Sequence, residues 1–251
     1  MLKIEFHAHT NYIQSSETHY SPKELIDLAS KKGYDILCLS EHYYLVDSWL
    51  KDYKKDPLKS YNDFKDYAKR KGILLVPGVE LYFPEGEVLL FNFKGDVNNI
   101  KKIEDLEKLG DDVLKIAPHP FFYRKICLGK NLIRYKHLFD VIELSHFYTK
   151  LFNPNKKALV LAKNWNKPML GTGDVHFFPT WNKTFSLVDS ELDPLKIVMA
   201  VKKNKIKVCS TPLTTKEFLS ECLFVVKNNI KYKLLLKSKF HFRKKLFSKF
   251  F

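Results

Sequence analysis

The sequence predicts an α/β barrel whose wall is built from parallel strands and whose outer layer is built from helices. Short apolar runs alternate with helical patterns along the 251 residues. The runs are almost continuously apolar, which is typical of parallel strands that are buried on both faces. Seven or eight such repeats within this length favour a closed barrel over an open sheet.

The first strand, residues 2–6, runs directly into His7-Ala8-His9. Side chains two residues apart on an extended chain point to the same side, so both imidazoles can reach one divalent cation. The later apolar runs predict further strands at 35–39, 73–79, 88–93, 113–117, 140–144, 168–170 and 206–210.

Helix signals lie between these runs. Ser21-Pro22 supplies an N-cap and a proline at the first helical position, and this helix is expected to end at Gly33. Asp193-Pro194 repeats the same start. The sequence predicts the other helices at 58–71, 97–109, 153–166 and 193–204.

The formal charge of +15 is high for a chain with an ordinary apolar content of 45%. It favours anionic partners such as phosphorylated metabolites, nucleic acid or a membrane surface, although a Lys-rich compositional bias also accounts for it. The four cysteines are widely spaced, which indicates reduced thiols. With no signal-peptide pattern and no apolar run of about 18 residues, we expect a cytoplasmic protein without a transmembrane segment.

The composition changes near Thr211, after which residues 213–251 hold ten Lys or Arg against two Glu. We therefore expect a barrel over residues 1–212 and a basic, partly helical C-terminal extension over 213–251. Cations alternate with aromatic residues in this tail, which suits single-stranded nucleic acid or an anionic membrane. A helix that covers the open end of the barrel is the simpler interpretation.

Residues with metal-ligating side chains follow most of the predicted strands. In a barrel of parallel strands, the side chains at the C-terminal strand ends converge on one face. A single histidine there is more often a core or capping residue, and Glu41 or Glu143 alone would be a helix cap or a surface charge. Together they would be costly to bury unless metal ions bind them. The residues at these positions are His7, His9, Glu41, His42, Glu80, His119, His146, Asp174 and His176.

The order of these motifs resembles the PHP superfamily (polymerase and histidinol phosphatase domain) over roughly residues 1–210. The resemblance rests on five stretches, which are His7-Ala8-His9, Glu41-His42, Gly78-Val79-Glu80, His119-Pro120 and Gly173-Asp174-Val175-His176. It implies a distorted (βα)7 TIM-like barrel with two or three divalent ions at its mouth. It also implies a hydrolase that acts on phosphoesters.

The resemblance assigns ligands to three metal ions. The first ion takes His7, His9, Glu80 and Asp174. Glu80 bridges to a second ion, which also takes His119. A third ion takes His42 and His176, and its further ligand is Glu17, at the position of the family's Asp, or His19.

Two positions depart from the family's pattern. Glu87 stands where the family often has a histidine ligand, and His146 stands where it often has Asn. We include both as candidate ligands. A site richer in carboxylates favours Mn²⁺ or Fe²⁺ over Zn²⁺, although the sequence does not choose between the three metals.

The chemistry that these ions would support is hydrolysis by a bridging hydroxide. A water that bridges two divalent cations ionises near neutral pH and can attack phosphorus in line with the leaving oxygen. We expect Glu80, Asp174 and His176 to be catalytic, with His19 or His146 as other candidates for the general acid. Arg124 is expected to hold phosphate oxygens, and Lys125 is either a second phosphate ligand or a solvated charge.

The substrate is expected to be a phosphomonoester, a nucleotide or an oligonucleotide end. A histidinol-phosphate phosphatase is a narrower version of this hypothesis. A non-catalytic RNA-binding barrel, similar to a ribonuclease P protein subunit, is the alternative from another functional class. The sequence does not indicate an oligomeric state.

Overall fold

The computed structural model describes residues 1–13, 18–44, 56–122 and 124–228. Within them, ten strands form one sheet in the order β10-β9-β1-β2-β4-β5-β6-β7-β8, and β3 lies beside β4. The strands are β1 (Leu2–Ala8), β2 (Ile36–Leu39), β3 (His42–Tyr44), β4 (Leu74–Phe83), β5 (Gly86–Phe91), β6 (Leu114–Ala117), β7 (Val141–Ser145), β8 (Met169–Thr172), β9 (Thr184–Val188) and β10 (Ile206–Ser210).

Helices cover this sheet. The α-helices with both ends described are α1 (Pro22–Lys31), α2 (Lys59–Arg70), α3 (Asn131–Arg134), α4 (Lys156–Asn164) and α5 (Pro194–Lys202). Helix α1 begins with a capping box, because Ser21 accepts from the Glu24 amide while the Glu24 carboxylate accepts from the Ser21 amide. A sixth helix, α6, begins at residue 215 and continues to at least 228.

The expected barrel is confirmed, but its strands are not all parallel. Strand β5 pairs antiparallel with both β4 and β6. Strand β9 pairs antiparallel with both β1 and β10. Only two residues separate Phe83 at the end of β4 from Gly86 at the start of β5. That distance permits a hairpin, whereas a parallel crossover needs a dozen or more residues.

An apolar cluster fills the barrel interior. It takes residues from strands around the sheet, including Ile4, Phe91, Leu114 and Leu170, and α5 adds Ile197. Strand β8 lies against β9, and one hydroxyl connects them. The Ser186 Oγ accepts from the Gly171 amide at 2.9 Å and donates to the Gly171 carbonyl at 2.9 Å. The sheet is therefore nearly closed.

An irregularity in β1 changes the direction of its side chains. Glu5 pairs with Leu37 and Ala8 pairs with Leu39, so three steps along β1 match two along β2. Ala8 consequently packs with the outer layer under α1, whereas Phe6 packs in the barrel interior. Such bulges are common beside active sites because they redirect a side chain, and here the redirected residues flank His7.

The prediction of a helix over 97–109 is wrong. The segment forms two 3₁₀ helices, Val97–Asn99 and Ile103–Lys108. Asp96 accepts from the Asn98 amide, and Asp105 accepts from the amides of Lys101 and Lys102. These carboxylates bind backbone amides and so compete with a continuous helix.

The C-terminal extension is described only as far as residue 228, so the expectation for the basic tail beyond it lies outside the described residues. Within the described ranges, every helix is too short or too polar to cross a lipid bilayer.

The contact that closes the barrel predicts a stability effect. Replacement of Ser186 by Ala leaves the buried Gly171 amide and carbonyl without this partner. We expect the free energy of unfolding to fall by about 1–3 kcal/mol. Chemical denaturation measures it, with the exposed Ser220→Ala as the matched control. Equal stability of the two variants would contradict this role for Ser186.

Candidate metal centre

Glu80 lies at the centre of a cluster of imidazoles at the barrel mouth. Its Oε2 atom is 2.9 Å from the His42 Nδ1, 3.3 Å from the His7 Nε2 and 3.5 Å from the His9 Nε2. Its Oε1 atom is 3.4 Å from the His119 Nε2. One buried carboxylate therefore faces four imidazoles from three separate stretches of the chain, because His7 and His9 belong to the same stretch.

Strand β3 brings His42 to this carboxylate. The strand is only three residues long, and it pairs in parallel with the extended end of β4 so that His42 lies opposite Glu80. Glu41, which precedes His42 in the sequence, accepts hydrogen bonds from the Thr10 amide and hydroxyl instead of facing the imidazoles. Burial raises the pKa of Glu41 to about 7. It is thus neither a helix cap nor a surface charge.

Asp174 is the second carboxylate of the cluster. Its Oδ1 atom is 3.1 Å from the His176 Nδ1, 3.4 Å from the His9 Nε2 and 3.5 Å from the His7 Nε2. The His176 Nδ1 also lies 3.0 Å from the Asp174 carbonyl oxygen. Two acceptors at this nitrogen place the proton on Nδ1 and leave the Nε2 lone pair for a ligand.

A third carboxylate, Glu87, extends the cluster along β5. Its Oε2 atom is 3.8 Å from the His119 Nε2. The other ring nitrogen of His119 is 3.5 Å from the Cys127 Sγ. Cys127 is a lone cysteine in a loop and therefore carries no ligand signature in the sequence.

The donor atoms are close enough to share metal ions. Among the described residues, five groups of three donors have ligand atoms within 4.8 Å of one another. These groups are His9, His42 and His176; His7, His119 and Asp174; His7, His9 and Glu80; Glu87, His119 and Cys127; and His42, Glu80 and Glu87.

Several of these buried atoms have no hydrogen-bond partner among the described residues. They include both ring nitrogens of His9, the His7 Nε2 and both carboxylate oxygens of Glu80. Buried polar atoms are normally paired, because desolvation without compensation is costly. Imidazole nitrogens and carboxylate oxygens are the donors that Zn²⁺, Mn²⁺ and Fe²⁺ bind. The arrangement fits two or more divalent ions.

Two further buried carboxylates, Glu143 and Glu5, bind His7 and the backbone next to the cluster and so fix its orientation. The Glu143 Oε2 lies 2.9 Å from the His7 Nδ1, which directs the His7 Nε2 toward Glu80 and Asp174. Glu5 accepts from the backbone amides of His7 and Gly173. No motif in the sequence marks Glu5 or Glu143 for these roles. The available signal was a carboxylate inside each otherwise apolar strand.

The charges of the cluster are mutually dependent. Burial opposes the ionisation of Glu80, but the charges of His7 and His42 outweigh it and hold the pKa of Glu80 well below its ordinary value. Burial, followed by the charge of His42, lowers the pKa of His9 to about 3. His9 is therefore a neutral imidazole, which is the form that binds metals.

Glu87 behaves in the opposite way. Burial and the neighbouring charge of Glu80 raise the pKa of Glu87 to about 8. The nearby charges of His119, His42 and Arg124 partly offset this rise. Glu87 therefore holds a proton that a divalent ion would displace.

Backbone strain is present at two residues of the cluster. His119 has a φ of 24° and Asp174 has a φ of 39°. Such values are uncommon for residues other than glycine and cost about 1–3 kcal/mol each. Strain of this kind persists where the surrounding structure fixes the side chain for a function.

Other residues expected at the site are not in these groups. His19 is exposed and contacts the Phe224 ring edge-on, and the His146 Nε2 lies 2.7 Å from the Glu221 Oε1. Arg124 and Lys125 are exposed. Glu17 lies outside the described residues.

Helix α6 lies beside the mouth and contacts the loops that follow β1, β7 and β8. Phe224 packs on Phe177 as well as on His19, and Phe218 stacks on Phe147. Glu221 projects between these rings to reach His146, and both side chains are buried. Part of the C-terminal extension is thus fixed against the loops that carry the candidate ligands.

Metal addition should stabilise the protein. At a free Mn²⁺ concentration one hundred times its Kd, binding to the native state adds about 3 kcal/mol to the free energy of unfolding. His9→Gln should lower the affinity by at least about tenfold. The exposed His137→Gln is the control. Thermal unfolding with and without Mn²⁺ measures both effects, and an equal gain in the two variants would contradict the placement of His9.

The buried pair of His146 and Glu221 predicts a second effect. Glu221→Ala leaves a buried, charged imidazole without its partner, which costs about 3–5 kcal/mol of stability. Glu217, on the same helix, forms a partly exposed pair with Lys183 and accepts from the Thr214 amide at the helix start, so Glu217→Ala should cost only about 1–2 kcal/mol. Urea denaturation distinguishes them. Similar losses would show that Glu221 does not anchor α6.

Two solved structures have a fold similar to that of this chain. A two-domain protein from Bacteroides vulgatus, described as containing a predicted PHP-like metal-dependent phosphoesterase, has a similar fold with a TM-score of 0.65 at 20% identity. The match covers 83% of this chain and 64% of that one, so this chain spans about two thirds of its length. PsfC from Pseudomonas syringae matches with a TM-score of 0.56 at 16% identity, over 93% of this chain and 98% of that one.

No curated protein matches the sequence. The family model of the PHP domain matches residues 5–174, which is more than half of the chain and spans the residues from β1 to Asp174. On this match, the chain belongs to the PHP domain family.

Proposed function

We propose that this protein is a metal-dependent phosphoesterase that hydrolyses terminal phosphoesters. The observation that carries the proposal is the buried Glu80 carboxylate, which faces four imidazoles and has no hydrogen-bond partner among the described residues. Divalent ions would supply Lewis-acid stabilisation of phosphoryl charge and a water of lowered pKa.

The residues proposed to hold these ions have distinct roles. Glu80 would bridge two ions, because its two oxygens face different imidazoles. His7, His9 and Asp174 would complete one site, and His119 would contribute to the next. His42 and His176 would form a third site, and the His9 ring lies close to both of them. Glu17 is proposed as a further ligand of this site from the sequence alone.

Glu87, Glu5 and Glu143 support this arrangement in different ways. Glu87 would add a carboxylate beside His119, which favours Mn²⁺ or Fe²⁺ over Zn²⁺. Glu143 accepts a hydrogen bond from the His7 Nδ1, which leaves the His7 Nε2 as the atom that would bind an ion. Glu5 fixes the backbone on both sides of the site through His7 and Gly173.

The accessibility of the cluster favours a phosphate at the end of a molecule. His7, His9 and Glu80 are almost fully buried. Asp174 and His176 are the more accessible members of the cluster, with side chains that are 21% and 24% exposed. A terminal phosphoryl group can enter such an opening more easily than an internal diester. Arg124 is exposed near Glu87 and would bind phosphate oxygens in a bidentate manner.

His176 remains the proposed general acid only for a two-ion form of the site, because its Nε2 cannot carry a proton while it binds a third ion. The His146 Nε2 is paired with Glu221, and the exposed His19 packs edge-on against Phe224, so both are weaker candidates for this role. Histidinol phosphate remains one substrate among small phosphomonoesters. The near-complete ligand set argues against a non-catalytic RNA-binding barrel.

We also propose that residues 1–212 form the catalytic barrel and that 213–251 form an extension packed on it. The contacts of Phe218, Glu221 and Phe224 with the loops at the mouth support this division.

Glu80→Gln tests the proposed function. The amide keeps the shape of the side chain but removes the negative charge that would bridge the ions. With Mn²⁺ present, we expect hydrolysis of p-nitrophenyl phosphate to fall by at least about 100-fold while the far-UV circular dichroism spectrum of the metal-free protein is unchanged. The exposed Glu191→Gln is the control.

Bis-p-nitrophenyl phosphate should be hydrolysed more slowly than the monoester by the unmodified protein, because it presents an internal diester. Activity that survives Glu80→Gln would exclude the bridging assignment. Absence of activity on both substrates, with no bound metal and tight RNA binding, would favour the non-catalytic alternative.

A further inference from the structure

His119 has different partners at its two ring nitrogens. Its Nε2 lies 3.4 Å from the Glu80 Oε1 and 3.8 Å from an oxygen of each of Glu87 and Asp174. Its Nδ1 lies 3.5 Å from the Cys127 Sγ, and both of these side chains are buried. The carboxylates that would share an ion with His119 therefore face its Nε2, and the thiol faces its Nδ1.

The loop that follows β6 folds back on itself and so brings Cys127 to His119. The Gly129 amide donates to the Pro120 carbonyl at 2.7 Å, and the Cys127 amide donates to the Arg124 carbonyl at 3.1 Å. Backbone hydrogen bonds, and not only the contact between the two side chains, therefore hold the thiol beside the imidazole.

The hairpin between β4 and β5 fastens the same loop to Glu87. The Glu87 amide donates to the Ile126 carbonyl at 2.9 Å. Gly86, with a φ of 138°, lies so close to Leu128 that an added Cβ would be 2.6 Å from the Leu128 backbone nitrogen. Glu87, His119 and the residue that contacts the His119 Nδ1 thus belong to one hydrogen-bonded unit.

The second ring nitrogen of a metal-binding histidine normally donates a hydrogen bond, which fixes the tautomer and the direction of the ring. Glu143 accepts such a bond from the His7 Nδ1. We propose that Cys127 is the corresponding positioning residue for His119: its sulfur accepts from the Nδ1 and so leaves the Nε2 lone pair to the second ion. This role rests on the proposed function, in which His119 binds that ion.

Two other roles of Cys127 fit the contacts less well. Direct ligation is the main competitor, because donor atoms of Glu87, His119 and Cys127 lie within 4.8 Å of one another. A thiolate ligand of the second ion would lie on the Nε2 side of the ring with that ion, whereas the Sγ contacts the Nδ1. A role in apolar packing alone would need no hydrogen-bond acceptor at this place.

Three substitutions at Cys127 separate these roles. Cys127→Ser keeps an acceptor, Cys127→Val keeps an apolar side chain of comparable size without an acceptor, and Cys127→Ala removes both. The control is Cys209→Ala, which removes a partly buried thiol from β10. Isothermal titration calorimetry of the full chain with Mn²⁺ measures how many ions bind and the Kd of each. The Ser and Val variants alone distinguish the roles, so the comparison holds even where Cys127→Ala unfolds.

We expect Cys127→Ala and Cys127→Val to weaken the binding of one ion by at least about tenfold and to leave the binding of the others unchanged. Cys127→Ser should stay within about threefold of the unmodified chain, because its hydroxyl also accepts a hydrogen bond from an imidazole N–H. Cys209→Ala should bind every ion as the unmodified chain does.

Three results would overturn the proposal. The first is unchanged ion binding by Cys127→Val, which would reduce the thiol to a packing role. The second is a loss of ion binding by Cys127→Ser as large as that of Cys127→Val. The third is an intense near-ultraviolet charge-transfer band from sulfur to Co²⁺ in the unmodified chain that Cys127→Ser removes, which would make the sulfur a direct ligand.

Ion binding and hydrolysis are measured separately in this design. An unmodified chain that shows the expected pattern of ion binding but does not hydrolyse p-nitrophenyl phosphate would contradict the proposed function and not the role of Cys127. Hydrolysis with equal ion binding by all Cys127 variants would contradict the role of Cys127 and not the proposed function. Failure of the unmodified chain to bind any divalent ion would contradict both.

Discussion

A carboxylate that is buried at the mouth of a barrel stays ionised only if positive charge or hydrogen-bond donors surround it, and this constraint applies to Glu80. Burial alone would protonate Glu80, yet the imidazoles around it keep its pKa low. The same imidazoles include the neutral His9. The metal-free cluster therefore combines the ionised Glu80 with the charged His7 and His42 and the neutral His9, and divalent ions that bind there would displace the protons of the charged imidazoles.

Three local irregularities of the fold bring the imidazoles and carboxylates of the cluster together. The bulge in β1 lies next to His7, and the short strand β3 sets His42 opposite Glu80. The backbone at Asp174 is left-handed, and its side chain faces His7 and His9. Each of these features is a local departure from regular structure. Departures of this kind are expected at functional sites, where local preferences give way to the geometry of the site.

The sequence predicted most strands and the convergence of most candidate ligands, because apolar runs and the residues that follow them are both local signals. It missed β9, whose polar and apolar residues alternate, and β3, which is only three residues long. It also could not reveal that Glu221 occupies the His146 Nε2. Residues separated by 75 positions meet there only because α6 packs on the barrel, and no local pattern encodes that contact.

Crystals grown with Mn²⁺ provide the most direct test of the central claim. The account predicts anomalous difference peaks within about 2.0–2.3 Å of donor atoms, with one peak shared by Glu80, and with imidazoles of His7, His9 and His119 among the ligands. Ordered density for an intact mouth, without a peak beside Glu80 at saturating Mn²⁺, would contradict it.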